Sequence, residues 1–303
     1  MWFDRKIVNT FNEVQQSRPV LLLTGARQVG KSSLLRRLFP EVQYVTLDRV
    51  LQAEQAEDNP SAFLAQFEDT AIIDEIQYAP SLFRELKIMV DENRQRYGQW
   101  LLTGSQQFQL MEGASESLAG RIGVLCLHTL CGAELRPYSN DVPLKDLVWK
   151  GGYPELWANP KLSTVHFFES YVQTYLERDL KTIIQVKNLR DFNRFLRAAA
   201  IRVGNLVNMN DMAKDVGVTN QTIKTWLHAL ETSGLITLLP PYYRNMGKRL
   251  IKAPKLYFND TGLLCHLLDI ERAEDYQGHL HGDAIWENFV FCELMKSSKK
   301  NPG

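Results

Sequence analysis

Cysteine is scarce in this chain: four in 303 residues, Cys126, Cys131, Cys265 and Cys292. None forms a CxxC pair and no histidine sits at zinc-finger spacing, which excludes a thiolate metal site and a disulfide framework. Buried, reduced thiols are expected, as in a reducing compartment. An excess of either charge is missing too, since 35 Lys and Arg balance 35 Asp and Glu. No overall field therefore draws the protein to nucleic acid or an anionic surface, and any such contact needs a local patch. No apolar run approaches the ~18 to 20 residues that span a bilayer. The start, MWFDRK, lacks the features of a signal peptide. These absences lead to the expectation of a soluble cytoplasmic protein without a membrane partner. Internal repeats and low-complexity tracts are also lacking. What is present is an ordinary globular composition, 45% hydrophobic and 23% charged. At about twice the length of a typical domain, that is material for two cores.

The first 132 residues read as strand and helix in alternation. Short apolar runs at Pro19–Thr24, Gln43–Leu47, Ala71–Ile73, Gln99–Thr103 and Gly123–Leu127 have the length and composition of buried strands. Ser32–Phe39 and Leu82–Arg96 carry apolar residues at helical spacing. This alternation predicts an α/β domain with a parallel sheet covered on both faces. A helical linker region follows over 133–200, broken at Gly151, Gly152 and Pro154, with a long helix expected from Thr164 to Gln185. A small module is expected over 201–270, then a helix from Gly282 to Lys296 and a polar tail within 271–303.

The most informative string is Gly25-Ala26-Arg27-Gln28-Val29-Gly30-Lys31-Ser32, followed by Ser33. It fits G-x-x-x-x-G-K-[ST], and it lies between an apolar strand and a helix. Glycines let the loop wrap so that main-chain N–H groups face phosphate oxygens, and the helix adds its positive amino end. Lys31 is expected to reach the β- and γ-phosphates of ATP, and the Ser32 hydroxyl to hold Mg²⁺. Residues 25–33 are the expected nucleotide-binding set.

The strand Ala71-Ile72-Ile73 ends in Asp74 and Glu75. Asp74 suits the outer coordination of Mg²⁺ beside Ser32, and Glu75 suits orientation or deprotonation of an attacking water. The fourth strand ends Leu102-Thr103-Gly104-Ser105-Gln106. Ser105 is the candidate for contact with the γ-phosphate or the water, with Thr103 and Gln106 behind it; a strand-capping turn is the plainer explanation.

The strings LLLTGARQVGKSSLL, IIDEIQ, LLTGSQQ and SLAGRI, together with GGYPE, YLERDL and GDAIWENFVFCEL, resemble a widespread prokaryotic group of AAA+ ATPases. Members pair that ATPase with a C-terminal region of unassigned function, and the resemblance covers nearly the whole chain. It implies an ATPase with an additional strand and a catalytic glutamate, and a sheet of order 5-1-4-3-2. Arg121, within SLAGRI, is the arginine expected to meet a nucleotide in cis or from a neighbouring copy, a packing role being the alternative. Arg27 is a weaker candidate, expected to pair with an acid. Related chains often continue into a nuclease-like segment whose helix resembles Trp286-Glu287-Asn288. Glu287 and Glu293 alone do not supply the converging carboxylates of such a site, so no nuclease activity is expected.

Residues 210–219 read as a short helix and a glycine turn, and Asn220–Ser233 as a second helix with Ile223, Trp226, Leu227 and Leu230 on one stripe. A hairpin from Leu235–Leu239 to Lys255–Phe258 completes the layout of a winged helix-turn-helix. Its tip holds Arg244, Lys248, Arg249, Lys252 and Lys255 beside Tyr242 and Tyr243. With Lys224, and with Asn220, Gln221 and Thr222 near a groove, these are the candidates for nucleic-acid contact. Winged helices also dock proteins, so DNA and a protein remain the two candidate partners, and an oligomer is compatible with either. The expected function is Mg²⁺-dependent ATP hydrolysis that moves this module. The rivals are a nucleotide-dependent switch or adaptor with negligible turnover and, more weakly, a small-molecule kinase.

Overall fold

The computed structural model describes residues 1–105, 117–138, 142–176, 188–242 and 253–297, with the side chains of 175 and 176 left aside. The chain divides into two compact units, one formed by Arg5–His128 and the other by Met1–Asp4 together with Thr129 and the residues after it.

The first unit is a five-stranded parallel sheet with helices. Its elements are α1 (Ile7–Gln15), β1 (Val20–Thr24), α2 (Lys31–Leu38), β2 (Gln43–Thr46), α3 (Val50–Asp58), α4 (Pro60–Ala65), β3 (Ala71–Asp74), α5 (Leu82–Glu92), β4 (Trp100–Thr103) and β5 (Ile122–Cys126). The spatial order is β2-β3-β4-β1-β5, the expected 5-1-4-3-2 counted from the other edge. β1 is flanked on both sides, with Val20 opposite both Trp100 and Ile122. All five of its residues are buried, which is why VLLLT lacks polar alternation. Val20, Leu22, Ile73, Trp100 and Leu102 pack with Phe83 and Leu86 of α5 and Phe63 of α4 in one core. α4 begins cleanly because Asn59 caps it, accepting the Ala62 N–H at 3.1 Å, with Pro60 in the first turn.

The second unit is mostly helical. It contains α6 (Gly132–Leu135), α7 (Leu144–Lys150), α8 (Pro154–Ala158), α9 (Thr164–Tyr171), α10 (Leu189–Ile201), α11 (Met209–Val216), α12 (Asn220–Thr232), β6 (Ile236–Leu239), β7 (Lys255–Phe258), α13 (Thr261–Leu267) and α14 (Gly282–Ser297). The long helix expected from Thr164 to Gln185 departs from regular geometry after Tyr171, where a π-helical turn spans Val172–Leu176. Thr174 donates its hydroxyl to the Ser170 carbonyl at 2.6 Å, a side-chain bond that competes with the helical ladder. The rest of that expected helix lies outside the described residues.

α11 and α12 are joined through Gly217, and α12 is capped by Thr219, which accepts the Thr222 N–H at 3.1 Å. Trp226 of α12 lies 5.4 Å from Phe192 and 5.2 Å from Phe195 of α10, ring to ring. β6 and β7 then pair antiparallel, Ile236 opposite Phe258. The buried Asn288 of α14 donates to the Phe258 carbonyl at 3.0 Å and accepts the Phe258 N–H at 2.8 Å. A neutral amide thus serves both main-chain groups of one buried residue, whose carbonyl also accepts from the Cys292 thiol at 3.1 Å. No described helix is long and apolar enough to cross a membrane.

Candidate nucleotide-binding site

The carboxyl ends of β1, β3 and β4 bring the predicted site residues together. In a parallel sheet that end is where loops collect and ligands bind. The loop after β1 runs against the chain leaving β5. A Cβ at Gly25 would lie 2.2 Å from the Leu127 carbonyl oxygen, so only glycine permits this approach. Gly30, at φ +94°, turns the loop directly into α2, whose first turn carries Lys31, Ser32 and Ser33 and no acid. Ala26 and Val29 are buried, whereas Ser33 is exposed. Gln28 also adopts a left-handed φ of 61°, a conformation uncommon outside glycine.

Lys31 is 5% exposed. Its ammonium group donates to the Gly25 carbonyl at 3.1 Å and the Ala26 carbonyl at 3.0 Å. Burial lowers its pKa, and the charges of Glu75 and Asp74 act in the opposite direction. A cation kept out of water and folded over its own loop is placed to exchange carbonyl partners for phosphate oxygens.

Asp74 collects hydroxyl groups from three other elements. Ser32 donates to its Oδ1 at 2.7 Å and Tyr44 of β2 to its Oδ2 at 2.7 Å, while Thr103 of β4 also donates to Oδ1. Burial, followed by the bond to Asp74, pushes the Tyr44 phenol pKa up. The two residues expected at Mg²⁺ are thus in direct contact. A hydroxyl and a carboxylate are hard oxygen donors, and Mg²⁺ takes few protein ligands, so the donor set fits that ion.

Glu75 has a left-handed φ of 58°. Its N–H donates to Thr103 Oγ1 at 3.2 Å, so one threonine fixes both acidic residues. Its carboxylate accepts from Gln77 Nε2 and from Ser105 Oγ, the latter at 3.3 Å. Ser105, only 1% exposed, therefore stands beside the candidate base. Asp48 lies in the same electrostatic neighbourhood. Burial, then Glu75 and Asp74, raise its pKa, and the Arg27 charge opposes them.

Arg121 is placed elsewhere. It directly precedes β5, and the register sets Ile122 opposite Val20 but Cys126 opposite Thr24, where the phosphate loop begins. Arg121 thus stands at the amino end of the sheet, about 16 Å of strand from the loop at ~3.3 Å per residue. There it makes a two-pronged pair with Asp91, both bonds 2.8 Å. The register does not bring Arg121 to the phosphate loop of its own chain, and the expected contact from a neighbouring copy stands as a proposal. Tyr44, Asp48 and the buried Arg5 are the residues that no motif pointed to, and Gln77 stands at the end of IIDEIQ without an expected role. In the second unit Lys224 is exposed on α12, whereas Lys255 is paired with Glu287 at 2.9 Å. Glu287 also accepts from the Tyr257 hydroxyl at 2.5 Å, and Glu293 accepts the Gly132 N–H at 3.0 Å. Gln106, Tyr243, Arg244, Lys248, Arg249 and Lys252 lie outside the described residues.

The sheet order, the glycine loop entering α2 and the acidic residues ending β3 define the fold of a P-loop nucleoside triphosphatase. Residues 17–136 match the family model described as an AAA domain, and residues 142–274 that of a domain of unknown function, DUF8612. The chain therefore carries a P-loop ATPase domain of the AAA family, followed by a domain of that second family. Uncharacterized proteins of Mycobacterium tuberculosis (Rv2008c) and Mycobacterium bovis (Mb2031c) are each 32% identical over 288 residues, or 94% of this chain and 64% of theirs. The chain thus spans less than two thirds of the length of these relatives. A Walker-type ATPase of Pyrococcus abyssi is similar in structure, with a TM-score of 0.58 at 17% identity over 88% of this chain and 96% of that one. That likeness concerns the fold.

Proposed function

We propose that the protein binds ATP with Mg²⁺ and hydrolyses it, and that the nucleotide state moves a winged-helix module, residues 201–270, that contacts DNA or a protein. The observation that carries the catalytic part is the convergence of Lys31, Ser32, Asp74, Glu75 and Ser105 at one end of the sheet. Lys31 binds phosphate oxygens and balances charge that develops on them. Ser32 and Asp74 hold Mg²⁺, which when bound neutralises phosphate charge as a Lewis acid. Glu75 orients the attacking water and accepts its proton, and Ser105 keeps that carboxylate in place. ATP shifts the module only to the extent that it binds one arrangement better than the other.

A second reading is favoured by one feature of the site. Glu75 is engaged by Gln77 and Ser105, which suits a switch or adaptor that binds nucleotide with negligible turnover. Phosphate release by wild type and Lys31→Ala, with and without duplex DNA, separates the two. Release that depends on Lys31 supports the ATPase, and stimulation by DNA identifies the partner. Binding without release supports the switch.

A further inference from the structure

Arg5 is charged, distant in sequence from every motif, and only 9% exposed. Its Nη1 donates to the Val29 carbonyl at 3.0 Å, inside the phosphate loop, and its Nη2 to the His128 carbonyl at 2.5 Å, just beyond β5. Burying a guanidinium is costly unless strong acceptors meet it, and charge-assisted bonds to carbonyls are such acceptors. The location is also particular. Among the described residues the chain passes between its two compact units twice, at Asp4–Arg5 and at His128–Thr129. Arg5 therefore ties together the two segments on which the chain enters and leaves the nucleotide unit. The same guanidinium holds the phosphate loop.

The Val29 carbonyl and the Gly30 N–H belong to one planar trans peptide and point in opposite directions. Whatever fixes the carbonyl fixes the N–H. Gly30 has φ +94° and, lacking a Cβ, meets little steric resistance to a flip of the preceding peptide. Gln28, two residues earlier, is already in an unfavourable left-handed conformation. The loop's own backbone therefore does little to hold this peptide in one orientation. We infer that Arg5 is a positioning residue for nucleotide binding: by gripping Val29 O it aims the Gly30 N–H into the phosphate cradle. This rests on the nucleotide-binding reading above and assigns a residue to it that the motif does not contain. Arg5 acts on the nucleotide site through the loop's main chain and is given no chemical role.

The test is the Kd for Mg-ATP, by titration calorimetry, of wild type, Arg5→Ala and Arg5→Lys, together with turnover at saturating ATP and thermal midpoints. Arg5→Ala is expected to bind about tenfold more weakly, equivalent to ~1.4 kcal/mol, while turnover at saturation changes less than about twofold. Arg5→Lys, which can reach one carbonyl, is expected to lie between. Guanidinium ion at a non-denaturing concentration is expected to restore binding to Arg5→Ala but leave wild type unchanged. A purely structural role would lower the midpoint without that rescue. Unchanged ATP affinity in both variants overturns the inference, as does weakened binding that guanidinium fails to restore in folded Arg5→Ala. Wild type that does not bind ATP would instead sink the nucleotide-binding reading itself.

Discussion

Ser32 and Asp74, 42 residues apart in the chain, meet through a 2.7 Å hydrogen bond from the serine hydroxyl to Asp74 Oδ1. One belongs to the first turn of α2 and the other to the last position of β3. Their contact exists because β1, β3 and β4 run parallel, so the segments after them emerge at one edge. The same edge brings Tyr44 of β2 to the second oxygen of that carboxylate.

Tyr44→Phe removes one of the three hydroxyls that orient Asp74 and leaves its shape otherwise intact. Because outer partners of metal-binding groups tune affinity, the Mg²⁺ concentration for half-maximal ATP binding is expected to rise about 10-fold. Titration of ATP binding against Mg²⁺ in wild type and variant checks this. An unchanged half-point would remove Tyr44 from the site.

Lys31→Met is expected to change stability in a pH-dependent way. Burial lowers the Lys31 pKa in the folded protein below its ordinary 10.5, so between those two values the unfolded chain binds more protons. Charging Lys31 therefore costs the native state most below its lowered folded pKa, and the cost fades as pH rises from there toward 10.5. Without nucleotide, the stability of wild type relative to Lys31→Met should increase over that interval in chemical denaturation. A pH-independent difference would contradict the burial of a charged ammonium.

Arg121→Ala breaks the pair with Asp91 at the far end of the sheet from the phosphate loop. ATP affinity and hydrolysis by the isolated chain should stay within about twofold of wild type, as for a residue outside the site. A larger loss, measured at concentrations where the protein is monomeric, would contradict the placement given by the β1–β5 register.

Asn288→Leu leaves the Phe258 N–H and carbonyl without the amide that now serves both. The carbonyl keeps the Cys292 thiol at 3.1 Å, so the expected destabilisation is about 1 to 3 kcal/mol, the penalty of one unsatisfied buried N–H. Denaturant midpoints measure it. A negligible loss would show that α14 does not depend on this amide.

Much of the nucleotide unit was legible because its chemistry needs fixed residue types at fixed spacing. Gly25 through Ser32 and the pair Asp74–Glu75 stand on recognisable strand ends, and the strands there are continuous apolar runs. The contributions of Tyr44, Gln77 and Arg5 were not legible, since each acts by a contact across tens of residues or a local turn that no spacing encodes. Arg121 is a different case, since its position bears only on a role in cis. Its string resembled a functional one, but position along β5, not residue type, decides which end of the sheet it occupies. In the second unit the helical stripe of α12 was plain in the sequence. The break after Tyr171 was not, because the competing Thr174 bond leaves the apolar spacing unchanged. Asn288, read beside its neighbours as part of a nuclease-like string, instead satisfies the main chain of β7.

The most direct test of the catalytic account is single-turnover ATP hydrolysis by wild type and Glu75→Gln, with ATP affinity measured on both. Glu75→Gln should bind Mg-ATP within about threefold of wild type while hydrolysing it about 100-fold more slowly, the loss expected when a general base is removed. Wild type no faster than Glu75→Gln would contradict the account and leave a nucleotide switch in its place.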